Sequence, residues 1–149
     1  MRAPNFALLD QHGTLHRLED YAGKWLVIYF YPKDDTPGCT TEACNFRDGR
    51  DVLQKMGVTV IGISKDSVKS HLKFANKYQL TFTLLSDPDH VITEAFGSWH
   101  PKKFMGREFI GTHRDTYLID PTGAIAKKYA GVDPKTHIGE IMADLKQLQ

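Results

Sequence analysis

The chain has 149 residues, of which 41% are hydrophobic, 11% aromatic and 25% charged, with a formal net charge of +1. That composition supplies an ordinary buried core without metals or disulfide staples, and the near-neutral balance gives no footprint for a nucleic-acid partner. The longest apolar run, Trp25 to Tyr31, is far too short to cross a bilayer, and Met1-Arg2-Ala3-Pro4 leads into no signal-peptide core. A single domain over residues 1–149, in the cytoplasm and without a membrane partner, is the expectation.

In chain order, short strands are expected at Phe6 to Leu8 and Thr14 to His16 around a His12-Gly13 turn, forming an N-terminal β-hairpin. Trp25 to Tyr31 reads as a buried central strand. A helix then starts at Pro37: Thr36 is a good N-cap, proline suits the first helical position, and Glu42 lies in the early turns. Next come a strand at Val58 to Ile63, a helix at Ser67 to Tyr78, a strand near Thr83 to Leu85 and a short helix near Val91 to Phe96. Lys102, Lys103 and Arg107 form the densest basic cluster, but Glu108 comes next, and the segment reads as a solvated loop. Strands at Thr116 to Ile119 and Ala124 to Tyr129 flank the Asp120-Pro121-Thr122-Gly123 turn, and a last helix runs from Lys135 to Leu148. Strands alternating with helices imply an α/β chain with a central mixed β-sheet covered by helices on both faces.

Both cysteines fall in one stretch, Pro32-Lys33-Asp34-Asp35-Thr36-Pro37-Gly38-Cys39-Thr40-Thr41-Glu42-Ala43-Cys44. A bond between Cys39 and Cys44 would close so small a loop that it would scarcely restrict the unfolded chain, so the pair points to redox chemistry rather than scaffolding. Cys39 sits in the first turn of the expected helix, where unpaired backbone amides and the helix dipole favour an anion, and the thiolate is the nucleophilic form of cysteine. Helix geometry sets the two Cα atoms roughly 8 to 9 Å apart and about 140° around the cylinder from one another. A disulfide needs Cα atoms within about 7 Å, so bonding requires local unwinding. An attacking cysteine and a resolving cysteine, joined only after oxidation, is the arrangement these positions suggest.

The run Phe30 to Cys44 resembles the active-site segment of the peroxiredoxins, in particular the bacterioferritin comigratory protein or peroxiredoxin Q group. The family's Pro-x-x-x-Thr-x-x-Cys motif falls on Pro32, Thr36 and Cys39, and the group's resolving cysteine on Cys44. Ala3-Pro4-Asn5-Phe6 with Asp10-Gln11-His12-Gly13, Asn45-Phe46-Arg47-Asp48, Phe82 to Asp87, and Gly111 to Asp120 with Arg114 match further family segments. Asp115 stands beside Arg114 as a competitor for its guanidinium.

The resemblance implies a thioredoxin-like fold and a cofactor-free, metal-free thiol peroxidase acting on hydrogen peroxide and organic hydroperoxides. Cys39 would become a sulfenic acid, Cys44 would condense with it, and thioredoxin or a glutaredoxin-type dithiol would reduce the bridge. The Thr36 hydroxyl, backbone amides near Gly38 and Cys39, and Arg114 would meet the charge on the departing oxygen, and Pro32 would shield the sulfur. A monomer is implied, with a weak dimer as the alternative, because the disulfide needs no second subunit.

Other readings of the same residues are an inert buried Cys39, a Cys44 that is a buried helix residue with no partner chemistry, a Thr36 that only caps a helix, and an Arg114 that is only a surface charge. A thioredoxin-like oxidoreductase would use Cys-x-x-Cys, and a non-enzymatic peroxide sensor would signal through the same disulfide. The seven histidines show no metal-ligand spacing.

Overall fold

The computed structural model describes residues 1–149, the side chain of Phe104 excepted. Its main sheet has seven strands in the order β2-β1-β5-β4-β3-β8-β9. These are β1 (Ala7–Asp10), β2 (Leu15–Arg17), β3 (Trp25–Phe30), β4 (Val58–Ser64), β5 (Thr83–Ser86), β8 (Thr116–Ile119) and β9 (Ile125–Tyr129). β3, β4 and β5 run parallel, with Val27 opposite Val60 and Ile61 opposite Thr83, while β1 and β8 join antiparallel on either side. The sheet is therefore mixed, as the alternation of elements implies.

β3 is central because its side chains are apolar in both directions, and the period of two divides them between two cores. Val27 and Tyr29 point to the face covered by α1 (Pro37–Lys55), α2 (Val68–Tyr78) and α4 (His137–Leu148), packing with Phe46, Leu53, Phe74, Ile141 and Leu145. Leu26, Ile28 and Phe30 point to the other face, where Ile92 and Phe96 of the α3 region (Val91–Ala95) and Phe6 lie. A 3-10 turn at Leu18–Tyr21 precedes β3.

The predicted loop around Lys102, Lys103 and Arg107 is instead a β-hairpin of β6 (Trp99–Phe104) and β7 (Arg107–Thr112), paired from Trp99 with Thr112 to Phe104 with Arg107. Its turn, Met105-Gly106, holds both residues at positive φ (52° and 79°), the geometry that two-residue hairpins require. This hairpin delivers the chain to Arg114. Among the described residues, no helix is long and apolar enough to cross a membrane.

α1 and α4 cross closely because Gly49 has no side chain: a Cβ there would lie 2.5 Å from Ile138 Cδ1. Beside this crossing His137 is buried between the rings of Phe46 and Tyr129, and neither ring nitrogen has a partner among the described residues. Burial pushes its imidazole down to about 4. The unfolded chain protonates this histidine near its ordinary value of about 6.5 and the folded chain does not, so stability falls as pH drops from about 6.5 to about 4. His137→Leu is expected to flatten that part of the profile, as read from urea midpoints measured across the pH range.

Candidate active site

The parallel β3 ends at the carboxyl edge of the sheet, where sites in open α/β folds collect, and the segment 31–36 turns from it into α1. Acidic side chains pin that turn. Asp34 takes hydrogen bonds from the Tyr31 hydroxyl (2.6 Å) and Ser70 Oγ (2.8 Å) and pairs with His71 Nδ1 at 2.7 Å. Its own amide donates to Asp66 Oδ2 at 2.8 Å. Asp35, at φ 60°, accepts from Lys77 Nζ and the Tyr78 hydroxyl at 2.7 and 2.6 Å. α2 therefore clamps the loop that carries the reactive end of α1. Ligand atoms of Asp34, Asp66 and His71 lie within 4.8 Å of one another, a convergence that sequence spacing could not reveal, but all three are already spent on these hydrogen bonds.

Pro37 opens α1 and Cys39 is its third residue, 1% exposed. Thr36 occupies the N-cap position with extended backbone, and its carbonyl accepts from Thr40 N at 2.8 Å. The expected side-chain cap is not made: the hydroxyl donates to Lys33 O at 3.0 Å. Thr36 thus directs its proton away from the helix and keeps its lone pairs available. Pro32 is half-buried at the start of the same loop.

Arg114 arrives just before β8, the antiparallel neighbour of β3, whose start lies beside the carboxyl end of β3. Its Nη2 donates to Cys39 Sγ at 3.0 Å, and its Nη1 to Glu42 Oε1 at 3.3 Å. Its carbonyl accepts from Val132 N at 2.9 Å, and the carbonyl of the next residue, Asp115, accepts from Phe30 N at 2.9 Å. The competitor expected at Asp115 does not compete: that carboxylate is buried and accepts from Ser98 Oγ (2.8 Å) and Gly131 N (3.1 Å). Glu42, 1% exposed, is the acidic group that shares Arg114. Burial raises its carboxyl to about 7, against the opposing pull of Arg114.

At Gly38 sequence reasoning expected a role for the backbone amides but not for the missing side chain, and at Glu42 it saw a helix signal but not a site residue. A Cβ at Gly38 would lie 2.8 Å from Arg114 Nη2, so glycine is what lets the guanidinium lie across the first turn of the helix. Gly38→Ala should push Arg114 off the sulfur and, with Cys39 as the nucleophile that the sequence resemblance implies, slow its reaction with peroxide roughly tenfold, about 1.4 kcal/mol. Helix propensity favours alanine there, so thermal stability should hold or rise while the stopped-flow rate falls. An unchanged rate would remove the Arg114 contact from the chemistry.

Cys44 is half-buried on the same helix, and both thiols are free. The helix is continuous from Pro37 through Cys44, so the separation expected from helix geometry holds in this reduced form. Around Cys44, Asn45 Nδ2 donates to Pro134 O (3.0 Å) and Arg47 Nη1 to Tyr78 O (2.6 Å).

This arrangement places a cation against the sulfur, and the chain as a whole has known relatives. The AhpC/TSA family model matches residues 1–128. Peroxiredoxin Bcp of Bacillus subtilis is 45% identical over 147 residues, covering 99% of this chain and 94% of that one. The structure of Xanthomonas campestris peroxiredoxin Q superposes with a TM-score of 0.91 at 39% identity, over 95% of this chain and 90% of that one. A second structure, concerned with the alkyl peroxide reduction activity of the X. campestris bacterioferritin comigratory protein, gives a TM-score of 0.90 at 39% identity with the same coverage. By sequence and by its thioredoxin-like fold, this chain belongs to the AhpC/TSA family and, within it, to the peroxiredoxins of the Bcp or peroxiredoxin Q group.

Proposed function

We propose that this chain is an atypical two-cysteine thiol peroxidase that reduces hydrogen peroxide and organic hydroperoxides and is recycled by thioredoxin or a similar dithiol. The observation that carries the proposal is the 3.0 Å contact from Arg114 Nη2 to the sulfur of a cysteine in the first turn of a helix. A fixed guanidinium and unpaired helix amides stabilise the thiolate before attack and the negative oxygen that departs after it.

The Cys39 thiolate attacks one oxygen of the hydroperoxide, the S–O bond forms as the O–O bond breaks, and an alcohol or water leaves. Thr36, with its own proton turned to Lys33 O, accepts from the hydroperoxide O–H and orients it. Pro32 walls the site from water. Cys44 then condenses with the sulfenic acid, releasing water, and an external dithiol reduces the disulfide. The alkyl peroxide activity named for the X. campestris relative supports organic hydroperoxides as substrates. The protein works as one domain and as a monomer in the cytoplasm, without a metal or cofactor in the cycle.

The deciding experiment supplies purified protein with NADPH, thioredoxin reductase and thioredoxin, and in parallel with a glutathione and glutaredoxin system, and follows NADPH loss on adding hydrogen peroxide or an alkyl hydroperoxide. Sustained turnover is expected. Stoichiometric oxidation that no dithiol reverses would favour the peroxide sensor.

A further inference from the structure

The geometry of Arg114 is lopsided. Its contact with the larger sulfur atom is 3.0 Å, whereas its contact with Glu42 is 3.3 Å, long for a guanidinium facing an ionised carboxylate, where about 2.7 to 2.9 Å is usual. The second oxygen of Glu42, Oε2, is buried and has no hydrogen-bond partner among the described residues. An anionic carboxylate would be left with half its charge unmet in a dry site, a larger cost than the single unpaired polar atom that a neutral carboxyl leaves there.

The charged and titratable groups around Glu42 come from each neighbouring element. Arg114 reaches it from the segment before β8, Cys39 precedes it by one turn on α1, and the buried Tyr29 hydroxyl lies in its field from β3. Lys102 of β6 lies in the field of the same Arg114 and Cys39. Burial holds Tyr29 neutral by raising its ionisation well up. Two acids, Cys39 and Glu42, therefore share one close cation.

We infer that Glu42 is the proton store of the site, neutral while Cys39 is a thiolate and ionised once the sulfur is oxidised and Arg114 is released to it. The balance is closed. A thiolate, a hydroperoxide and a neutral Glu42 become a sulfenic acid, an alcohol and a Glu42 carboxylate: sulfur gives two electrons to the breaking O–O bond, and the proton the products need comes from Glu42 and not from solvent. The carboxyl value of about 7, raised by burial, fits a group poised to hold and release a proton near neutrality. When a dithiol later restores the thiolate, Glu42 takes its proton back.

The inference rests on the peroxidase reading of Cys39, and the test separates the two. A single turnover with hydrogen peroxide is run in the Cys44→Ser background, which stops at the sulfenic acid, in weak buffer with a pH indicator at about pH 6, below the Glu42 value. With Glu42 present, oxidation should take up almost no proton from solvent. With Glu42→Gln, it should take up about one more proton per Cys39 oxidised. The infrared difference spectrum of the same turnover locates that proton: the C=O band of a protonated carboxyl should vanish on oxidation with Glu42 present and be missing from the spectrum with Glu42→Gln, whereas a proton held on Cys39 would show as the loss of an S–H band. Oxidation of Cys39 with equal proton uptake in both proteins, or without loss of the carboxyl C=O band, would overturn the inference alone. Failure of Cys39 to be oxidised at all would overturn the peroxidase reading with it.

Discussion

Cys39→Ser is expected to abolish peroxide turnover while leaving a folded protein. A serine hydroxyl is far less ionised than a thiol and far less nucleophilic toward oxygen, and no second thiol occupies a helix start: Cys44 lies in the body of α1. Loss of a sole covalent nucleophile costs on the order of 10^4-fold or more, and background is the expected reading in the NADPH-coupled assay. The fold should survive, because serine is smaller by little and Arg114 can donate to its oxygen, so a stability change within about 2 kcal/mol is expected from the urea midpoint. Measurable turnover by the folded variant would move the chemistry away from Cys39.

The second large effect is expected at Cys44, and it separates oxidation from recycling. Cys44→Ser keeps Cys39, Arg114 and Glu42 in place, so the variant should still consume one equivalent of peroxide at close to the parent rate. A sulfenic acid should then persist on Cys39, trapped by a dimedone-type probe, and thioredoxin-supported turnover should collapse, because no disulfide is offered to the dithiol. A Cys44→Ser protein that cycles normally with thioredoxin would show that Cys44 is not the resolving residue.

What the sequence disclosed and what it hid divide along physical lines. The reactive helix was legible because its signals are local: Thr36, Pro37 and Cys39 lie within one short run, and Pro37 does open α1. The parallel strands were legible because Trp25 to Phe30 and Val58 to Ser64 are apolar almost throughout, the mark of strands buried on both faces. The β6–β7 hairpin was not legible. Arg107, Glu108, Phe109 and Ile110 are all exposed, so no inside-outside alternation marks the strand, and methionine at positive φ is not a turn signal.

At the site, contacts made over long separations were the ones missed. The missing side chain of Gly38 matters because Arg114, 76 positions away, lies against it, and Asp34 matters through Ser70 and His71 on α2. Glu42 did leave a trace: three positions after Cys39 it shares the helix face of the nucleophile, and an acid on the face that must also be buried is a residue in need of a partner. The position of Thr36 was legible and its hydrogen bond was not, since a hydroxyl at an N-cap can satisfy either the helix or the preceding loop.

In the proposed cycle Cys39 and Cys44, held apart on one helix when reduced, meet only when that helix opens. Hydrogen exchange on the reduced protein and on a form shown by mass spectrometry to carry the Cys39–Cys44 bond tests this directly. Unwinding should run from about Pro37 to Asn45 and break the Asn45 bond to Pro134, while the Phe46 ring, buried and stacked on Tyr29 at 4.7 Å, resists leaving the core. Amides of Thr40 to Phe46 should lose protection on oxidation, and those of Trp25 to Tyr31, on β3 and just beyond it, should keep theirs. Unchanged protection across Thr40 to Phe46 in the bonded form would contradict the account, because a disulfide cannot span these positions on an intact helix.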